Sequence, residues 1–127
     1  MALLGSLHLL YTAKDFGESP RHFSPRSSAL LAQMRETRTA LAPRGRDYWS
    51  GILGFHLSHS MGVLMFSLLI ILADQYQIEW LKPFLVVIAF SYAGIAHRCW
   101  FRIPMLGASA AGVLLAAGWA PGLLQGL

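Results

Sequence analysis

Residues 48–73, YWSGILGFHLSHSMGVLMFSLLIILA, form an apolar stretch that contains no Asp, Glu, Lys or Arg. A helix of roughly 20 apolar residues crosses the hydrocarbon core of a bilayer, and this stretch holds 26 residues. Tyr48 and Trp49 stand at its start, and such aromatic residues are enriched at the level of the lipid headgroups. The stretch therefore predicts a membrane-crossing helix.

Two further stretches carry no charge, residues 83–97 with 15 residues and residues 103–127 with 25. They predict crossings over residues 80–97 and 103–124, the former with Lys82 extending its ammonium group back to the headgroups. The composition agrees, since 55% of the residues are hydrophobic and only 13% are charged, against about 25% charged in soluble domains. There is too little charge to coat a surface that faces water.

The first 13 residues, MALLGSLHLLYTA, are apolar but short. As a helix they would span about 20 Å, and they lack the basic start and the cleavage site of a secretory signal peptide. We expect a short first crossing; a half-inserted helix or a segment that packs on a partner are the alternatives. An even number of crossings also suits the distribution of charge described below.

Residues 14–47 form the one polar region of the chain. Their first half is rich in Gly, Pro and Ser and predicts an irregular loop, with Ser24 and Pro25 resembling the start of a helix. A helical pattern follows over residues 27–41, with apolar side chains at Leu30, Leu31, Met34 and Leu41. Such a helix lies at the membrane surface or packs on the loops of its own protein.

The fold class predicted from these segments is all-α, a four-helix transmembrane bundle in one domain over residues 1–127. A short interfacial helix lies between the first and second membrane helices.

Nine of the ten Lys and Arg residues lie in residues 14–47 and 98–102, and Lys82 is the tenth. Basic loops stay in the cytoplasm when a membrane protein inserts. We therefore expect both basic loops to be cytoplasmic and both termini to lie on the opposite side of the membrane. Because topology accounts for the basic residues, the net charge of +4 does not indicate nucleic-acid binding. Lipids and other integral membrane subunits are the expected partners.

Small residues at four-residue spacing let membrane helices approach closely. The second crossing has such a row at Gly54, Ser58 and Gly62, and the fourth has two overlapping rows. These rows predict that the second and fourth crossings form a close-packed pair. The predicted packing residues of the fourth crossing are Gly107, Ala111 and Gly112.

Histidines within the crossings need an explanation, because an ionisable group at membrane depth is costly unless it is paired. His56 and His59 lie three residues apart on one face of the second crossing. Counted inward from the cytoplasmic edge, His8, His56, Tyr92 and Ser109 are each roughly 9–12 Å deep at 1.5 Å per residue. They predict a polar layer with one residue from each crossing.

The layer has several possible roles, of which an interhelical hydrogen-bond network is the simplest. Neutral imidazole is also an axial ligand of haem, and of chlorophyll magnesium by the same lone pair, so His56, His59 and His8 are candidate cofactor ligands. Binding of a quinone or a lipid, or proton transfer, is a further alternative. No carboxylate lies within a crossing to orient a histidine. Cys99 is the single cysteine, so a metal site and a disulfide are not predicted.

Three motifs resemble a group of small, four-crossing bacterial membrane proteins whose activity is uncharacterised. The motifs are Gly-x-x-His-Leu near the first helix, Gly-Phe-x-x-Ser-His-Ser in the second, and an aromatic-Arg-Ile-Pro turn before the last. They lie here at Gly5, His8 and Leu9; at Gly54, Phe55, Ser58, His59 and Ser60; and at Phe101, Arg102, Ile103 and Pro104. The resemblance implies a four-helix fold in a bacterial inner membrane, and it implies no activity.

Two classes of function follow. The first is a non-catalytic accessory or scaffold subunit of a larger membrane complex, which suits the small polar region and the lack of catalytic carboxylates. The second is a ligand-binding protein or enzyme that uses the histidines, with haem, chlorophyll, quinone or lipid as the ligand.

Overall fold

The computed structural model describes residues 1–40, 42–99 and 102–125. Within these ranges the chain forms five helices and no strand, so the all-helical prediction is confirmed. The helices are α1 (Ala2–Asp15), α2 (Ser28–Glu36), α3 (Tyr48–Gln75), α4 (Leu81–Cys99) and α5 (Arg102–Gln125).

Helix α3 begins where the sequence predicted the second crossing to begin. The carboxylate of Asp47 accepts hydrogen bonds from the Ser50 backbone N–H at 2.9 Å and from the Ser50 hydroxyl at 2.7 Å. An acceptor at this position satisfies a backbone N–H that has no partner inside the helix. Backbone hydrogen bonds around Gln77, which has a positive φ of 49°, form the turn after Gln75.

The surface helix is shorter than predicted. It covers Ser28–Glu36 rather than residues 27–41, and its N-cap is Ser27, whose hydroxyl accepts a hydrogen bond from the Leu30 N–H at 3.3 Å. The predicted start at Ser24 and Pro25 is therefore wrong. Thr37 ends the helix with an extended backbone, and Leu41 lies outside the described residues.

Among the described residues, two helices are long and apolar enough to cross a membrane by length and composition, α3 and the Arg102–Ala120 part of α5. Only 22% and 11% of their most apolar stretches are buried, whereas the core helix of a soluble protein is mostly buried. Helix α1, with 14 residues, and helix α4, with 19 residues, do not meet these requirements of length and apolar composition. The structure thus contains two candidate crossings where the sequence predicted four.

The contacts divide the chain into two units, residues 2–64 and residues 65–127, with Met1 assigned to the second. The division falls inside α3. The first unit holds α1, α2 and the first half of α3; the second holds the rest of α3 with α4 and α5.

The core of the second unit is built from three helices. Phe66 and Ala73 of α3 are buried with Leu85 and Ala89 of α4. Partly buried hydrophobic residues of the same unit pack against this core: Ile70, Leu81, Leu115 and Trp119. Large side chains from α3 and α5 thus fill the space beside the small alanine of α4.

Close approach of α4 and α5 depends on a glycine. A Cβ added at Gly112 would lie 3.0 Å from the tip of the Phe90 ring, so the ring occupies the place that a side chain would take. Small residues also line the buried face of α4, at Ala89, Ala93 and Ala96. Gly112 therefore allows α4 and α5 to pack closely.

Lys82 is 6% exposed, and its ammonium group has partners within the protein. It donates a hydrogen bond to Glu79, which precedes α4, at 2.6 Å and lies 5.9 Å from the centre of the Trp119 ring. A carboxylate and an aromatic face both stabilise the positive charge. The extension of Lys82 to the lipid headgroups stays a prediction.

Large apolar side chains are exposed along the helices. Leu3 and Leu114 are each 72% exposed, and on α3 and α4 residues such as Met65 and Phe84 also face outward. The fully buried side chains include both apolar and polar residues: Leu53, Leu85, Thr12, Asp15 and Ser60. Large apolar residues on the outside and polar residues among those inside are expected where the solvent is lipid.

Candidate functional site

The site lies within the first unit and begins with the close contact of α1 and α3. Gly5, His8, Thr12 and Asp15 share one face of α1, because their spacing follows the helical period. A Cβ added at Gly5 would lie 3.1 Å from Cγ1 of Val63 and 3.3 Å from Cδ2 of Leu64. The glycine thus lets α3 approach the face of α1 that carries His8.

Three histidines meet at this contact. Nε2 of His8 lies 3.1 Å from Nδ1 of His56, which is a hydrogen bond between two helices. The ring of His59 lies 5.6 Å from that of His8, centre to centre and edge-on. Of the two nitrogens in the hydrogen bond one donates and the other accepts, so the bond satisfies one nitrogen of each ring.

Aromatic rings surround the histidine pair. The ring of Phe23, from the loop after α1, stacks 4.3 Å from that of His56 and lies 4.6 Å from that of His8. Phe55 lies 6.1 Å from His56 and 6.3 Å from His59. These rings keep the hydrogen bond of the pair in apolar surroundings, which strengthens it relative to water.

The buried hydroxyls beside the histidines bond to their own helices. Thr12 donates to the His8 carbonyl at 2.8 Å, and Ser60 donates to the His56 carbonyl at 2.8 Å. Such bonds to the residue four positions earlier satisfy a hydroxyl locally. Neither hydroxyl therefore has its proton directed at an imidazole.

A second polar centre lies at the end of α1, where Asp15 is 1% exposed. Its carboxylate accepts hydrogen bonds from the backbone N–H groups of Arg21, His22 and Phe23, the shortest at 2.6 Å from Phe23. Nδ1 of His22 lies 2.9 Å away, and the His22 ring stacks on Tyr11 at 4.6 Å. The carboxylate thus fixes the loop that carries Phe23.

These contacts keep Asp15 ionised. Burial opposes ionisation, but the hydrogen bonds from Phe23, Arg21 and His22 together outweigh it and lower the pKa of Asp15 to about 2. The negative charge of the Asp15 carboxylate is stabilised by hydrogen-bond donors rather than by a buried cation.

The structure brings together His8, His56 and His59, the three residues predicted as cofactor ligands. Tyr92 and Ser109, the other predicted members of the polar layer, lie on α4 and α5 in the second unit. The layer as a whole and the cofactor role of the histidines stay predictions.

Sequence reasoning missed Asp15, Phe23 and His22. Asp15 shares its face of α1 with His8 at helical spacing, which was a usable signal. Phe23 and His22 lie in an irregular loop, where no periodicity indicates which side chains turn inward.

The predicted packing residues have different surroundings. Gly54 and Ser58 are exposed, and a Cβ added at Gly54 would meet nothing within 4 Å. Gly62, Gly107 and Ala111 are half-buried, and Gly112 is buried against Phe90. The predicted role of Gly54 and Ser58 in helix packing stays a prediction. Phe101, from the resemblance, lies outside the described residues.

Among the described side chains, no three His, Cys, Asp or Glu residues are arranged to hold a metal ion. Comparison with known proteins adds no relative, since no family model, no curated protein and no solved structure matches the chain.

Proposed function

We propose that the chain is an integral membrane protein with four crossings that serves as a non-catalytic accessory or scaffold subunit of a larger membrane complex. The crossings cover residues 1–13, 48–73, 80–97 and 103–124, which correspond to α1, α3, α4 and α5. The membrane is a bacterial inner membrane, and residues 14–47 and 98–102 lie on its cytoplasmic side, which the distribution of Lys and Arg favours.

The exposure of large apolar side chains is the observation that carries this proposal. Leu3, Met65, Phe84 and Leu114 are all more than half exposed, one on each of the four helices. Exposing apolar surface to water costs a free energy of about 25 cal/mol for each Å². In lipid the same surface carries no such penalty, so the membrane accounts for all four helices together.

The role as a subunit rests on the exposed small residues of α3. Gly51 and Gly54 would accept a Cβ without any contact within 4 Å, and Ser58 is exposed on the same helix. Membrane helices associate through such small residues because their backbones can come close together. A helix of another integral membrane subunit fits this face.

The hydrogen bond between His8 and His56 supports a structural role over a catalytic one, because it joins two helices. His8 and His56 bond to each other, and the adjacent Thr12 and Ser60 hydroxyls bond to their own helices. A group that acts on a substrate needs a donor or acceptor directed at that substrate. We therefore assign His8 and His56 to joining α1 to α3.

A second candidate function is the binding of haem, chlorophyll, a quinone or a lipid by the histidine cluster. Three imidazoles lie together beside the flat faces of Phe23 and Phe55, and apolar rings of this kind suit a planar ligand. Coordination by the accepting nitrogen of the His8–His56 pair would require their hydrogen bond to break.

Native mass spectrometry of the protein, gently solubilised from its own membrane, separates the two candidates. The lead proposal predicts that the chain is detected as part of a larger complex, and that an absorption spectrum of the chain shows no visible band of its own. It also predicts that Gly54→Leu releases the chain from that complex, whereas Gly118→Leu, at another open glycine, does not. A stoichiometric chromophore that is lost in His56→Ala or His59→Ala would instead establish the second candidate.

A further inference from the structure

We propose that α2 and the arginines around it bind the anionic headgroups of lipids at the membrane surface. The partner is a phosphate-bearing headgroup in the cytoplasmic leaflet, held by guanidinium groups while the apolar side of α2 rests at the acyl boundary. This inference rests on the proposed insertion of the chain in a membrane and names the lipid class that the polar region recognises.

Helix α2 has little support from the rest of the protein. None of its residues is buried, and Leu30 is 47% exposed. Leu31 and Met34 are half-buried and share a side of the helix with Leu30 by their spacing. A nine-residue helix in water is marginal without packing of its apolar side, so a surface that covers this side would stabilise it.

The acidic residues of the polar region do not neutralise its arginines. Residues 14–47 contain seven basic and four acidic residues. The carboxylate of Asp15 is buried and accepts hydrogen bonds from its own loop, and that of Asp47 accepts two from Ser50. Only Glu18 and Glu36 remain as exposed acidic groups.

In the polar region, Arg21 and four arginines in or near α2 are exposed and have no ion pair with a carboxylate among the described residues. The four in or near α2 are Arg26, Arg35, Arg44 and Arg46. Arg38 differs, because its guanidinium group donates to the carbonyls of Arg35 and Thr37 at the end of α2, each at 3.3 Å. The four arginines therefore offer planar, forked donors of the kind that match phosphate oxygens.

Their position along the chain indicates a lipid rather than a soluble anion. Arg44 and Arg46 come just before Tyr48, the first residue of the candidate crossing α3. Tyr48 is itself 44% exposed, as suits an aromatic side chain at headgroup level. Basic groups next to a crossing lie within the Debye length of the anionic leaflet.

Hydrogen exchange of the α2 amides in the full-length protein tests the inference. The protein is placed in nanodiscs of phosphatidylcholine, with or without phosphatidylglycerol. We expect slower exchange over residues 28–36 when phosphatidylglycerol is present, by about fivefold for each arginine that engages a headgroup, and a loss of the difference in high salt.

Variants identify the groups responsible. The combined substitutions Arg26→Gln, Arg35→Gln, Arg44→Gln and Arg46→Gln should abolish the dependence on phosphatidylglycerol. The control Arg98→Gln with Arg102→Gln removes charge from the other basic segment and should retain it.

Equal exchange in the two lipids, or an unchanged lipid dependence in the fourfold variant, would overturn the inference. Equal protection by inorganic phosphate in phosphatidylcholine discs would also do so, because it would show a soluble anion site. A protein that fails to enter either disc would instead contradict the proposed membrane function.

Discussion

The Nε2 atom of His8 lies 3.1 Å from the Nδ1 atom of His56, although the two residues are 48 positions apart in the chain. This hydrogen bond joins the shortest proposed crossing, α1, to the longest, α3. Because α1 exposes most of its large apolar side chains and buries a polar face, the histidine pair is a principal contact that holds it in place.

A double-mutant cycle on this pair should show coupling. His8→Ala and His56→Ala each remove one partner, and the two together remove both, so their effects on the free energy of unfolding should be less than additive. Interhelical hydrogen bonds in membranes give coupling of about 0.6 kcal/mol on average and about 1.7 kcal/mol at most. Unfolding in mixed detergent micelles, followed by circular dichroism, measures it.

His97→Ala serves as the control for that cycle, because His97 is exposed in the last turn of α4. Combined with His8→Ala it should give additive effects. Additive effects for His8→Ala with His56→Ala would show that the two rings do not interact in the folded protein.

Gly5 and Gly54 provide a matched pair for testing the contact of α1 with α3. Gly5→Val places a Cβ 3.1 Å from Cγ1 of Val63 and should lower the stability by about 1–3 kcal/mol, as overpacking does elsewhere. Gly54→Val enters open space and should change the stability of the detergent-purified chain by less than about 0.5 kcal/mol. Similar losses in both variants would show that the helices do not approach at Gly5.

The stability of the protein should fall in acid because of Asp15. Its pKa is lowered from 3.8 to about 2 in the folded chain, so the carboxylate contributes stability that is fully present above pH 3.8 and disappears as the pH falls through about 2. The shift corresponds to about 2 kcal/mol. Denaturation in detergent between pH 5 and pH 2 measures this loss.

Asp15→Asn should lower the stability at neutral pH and reduce its decline in acid by about 2 kcal/mol. Glu18→Gln, at an exposed position in the same loop, should leave the wild-type decline unchanged. A decline of wild-type size in Asp15→Asn would mean that other carboxylates are responsible for it.

The helices were predictable because uncharged length and helical spacing are properties of the sequence itself. The absence of charge from residue 48 onward predicted α3, and the absence of charge from Ile103 onward predicted α5. The proximity of His8 and His56 also followed from depth, since both lie a similar number of residues from the same polar region. The depth of a residue in the membrane does not define the rotation of its helix about the helix axis. It therefore did not indicate which residues of α4 and α5 face inward.

The remaining features depend on contacts between segments with no periodic pattern. Phe23 contacts the histidines because the loop that contains Phe23 donates hydrogen bonds to Asp15. A loop rich in Gly, Pro and Ser gives no indication of these hydrogen bonds. Lys82 forms an ion pair with Glu79 one turn away, and the absence of charge in the residues that follow gave no indication of this partner. Ser27 rather than Ser24 caps α2, and either serine was a suitable residue.

Extraction of native membranes at alkaline pH tests the central claim, that lipid is the solvent for the exposed apolar faces of α1, α3, α4 and α5. The account predicts that the chain stays in the membrane pellet after carbonate washing and is released only by detergent. A chain that enters the supernatant and remains a folded monomer in buffer without detergent would contradict it.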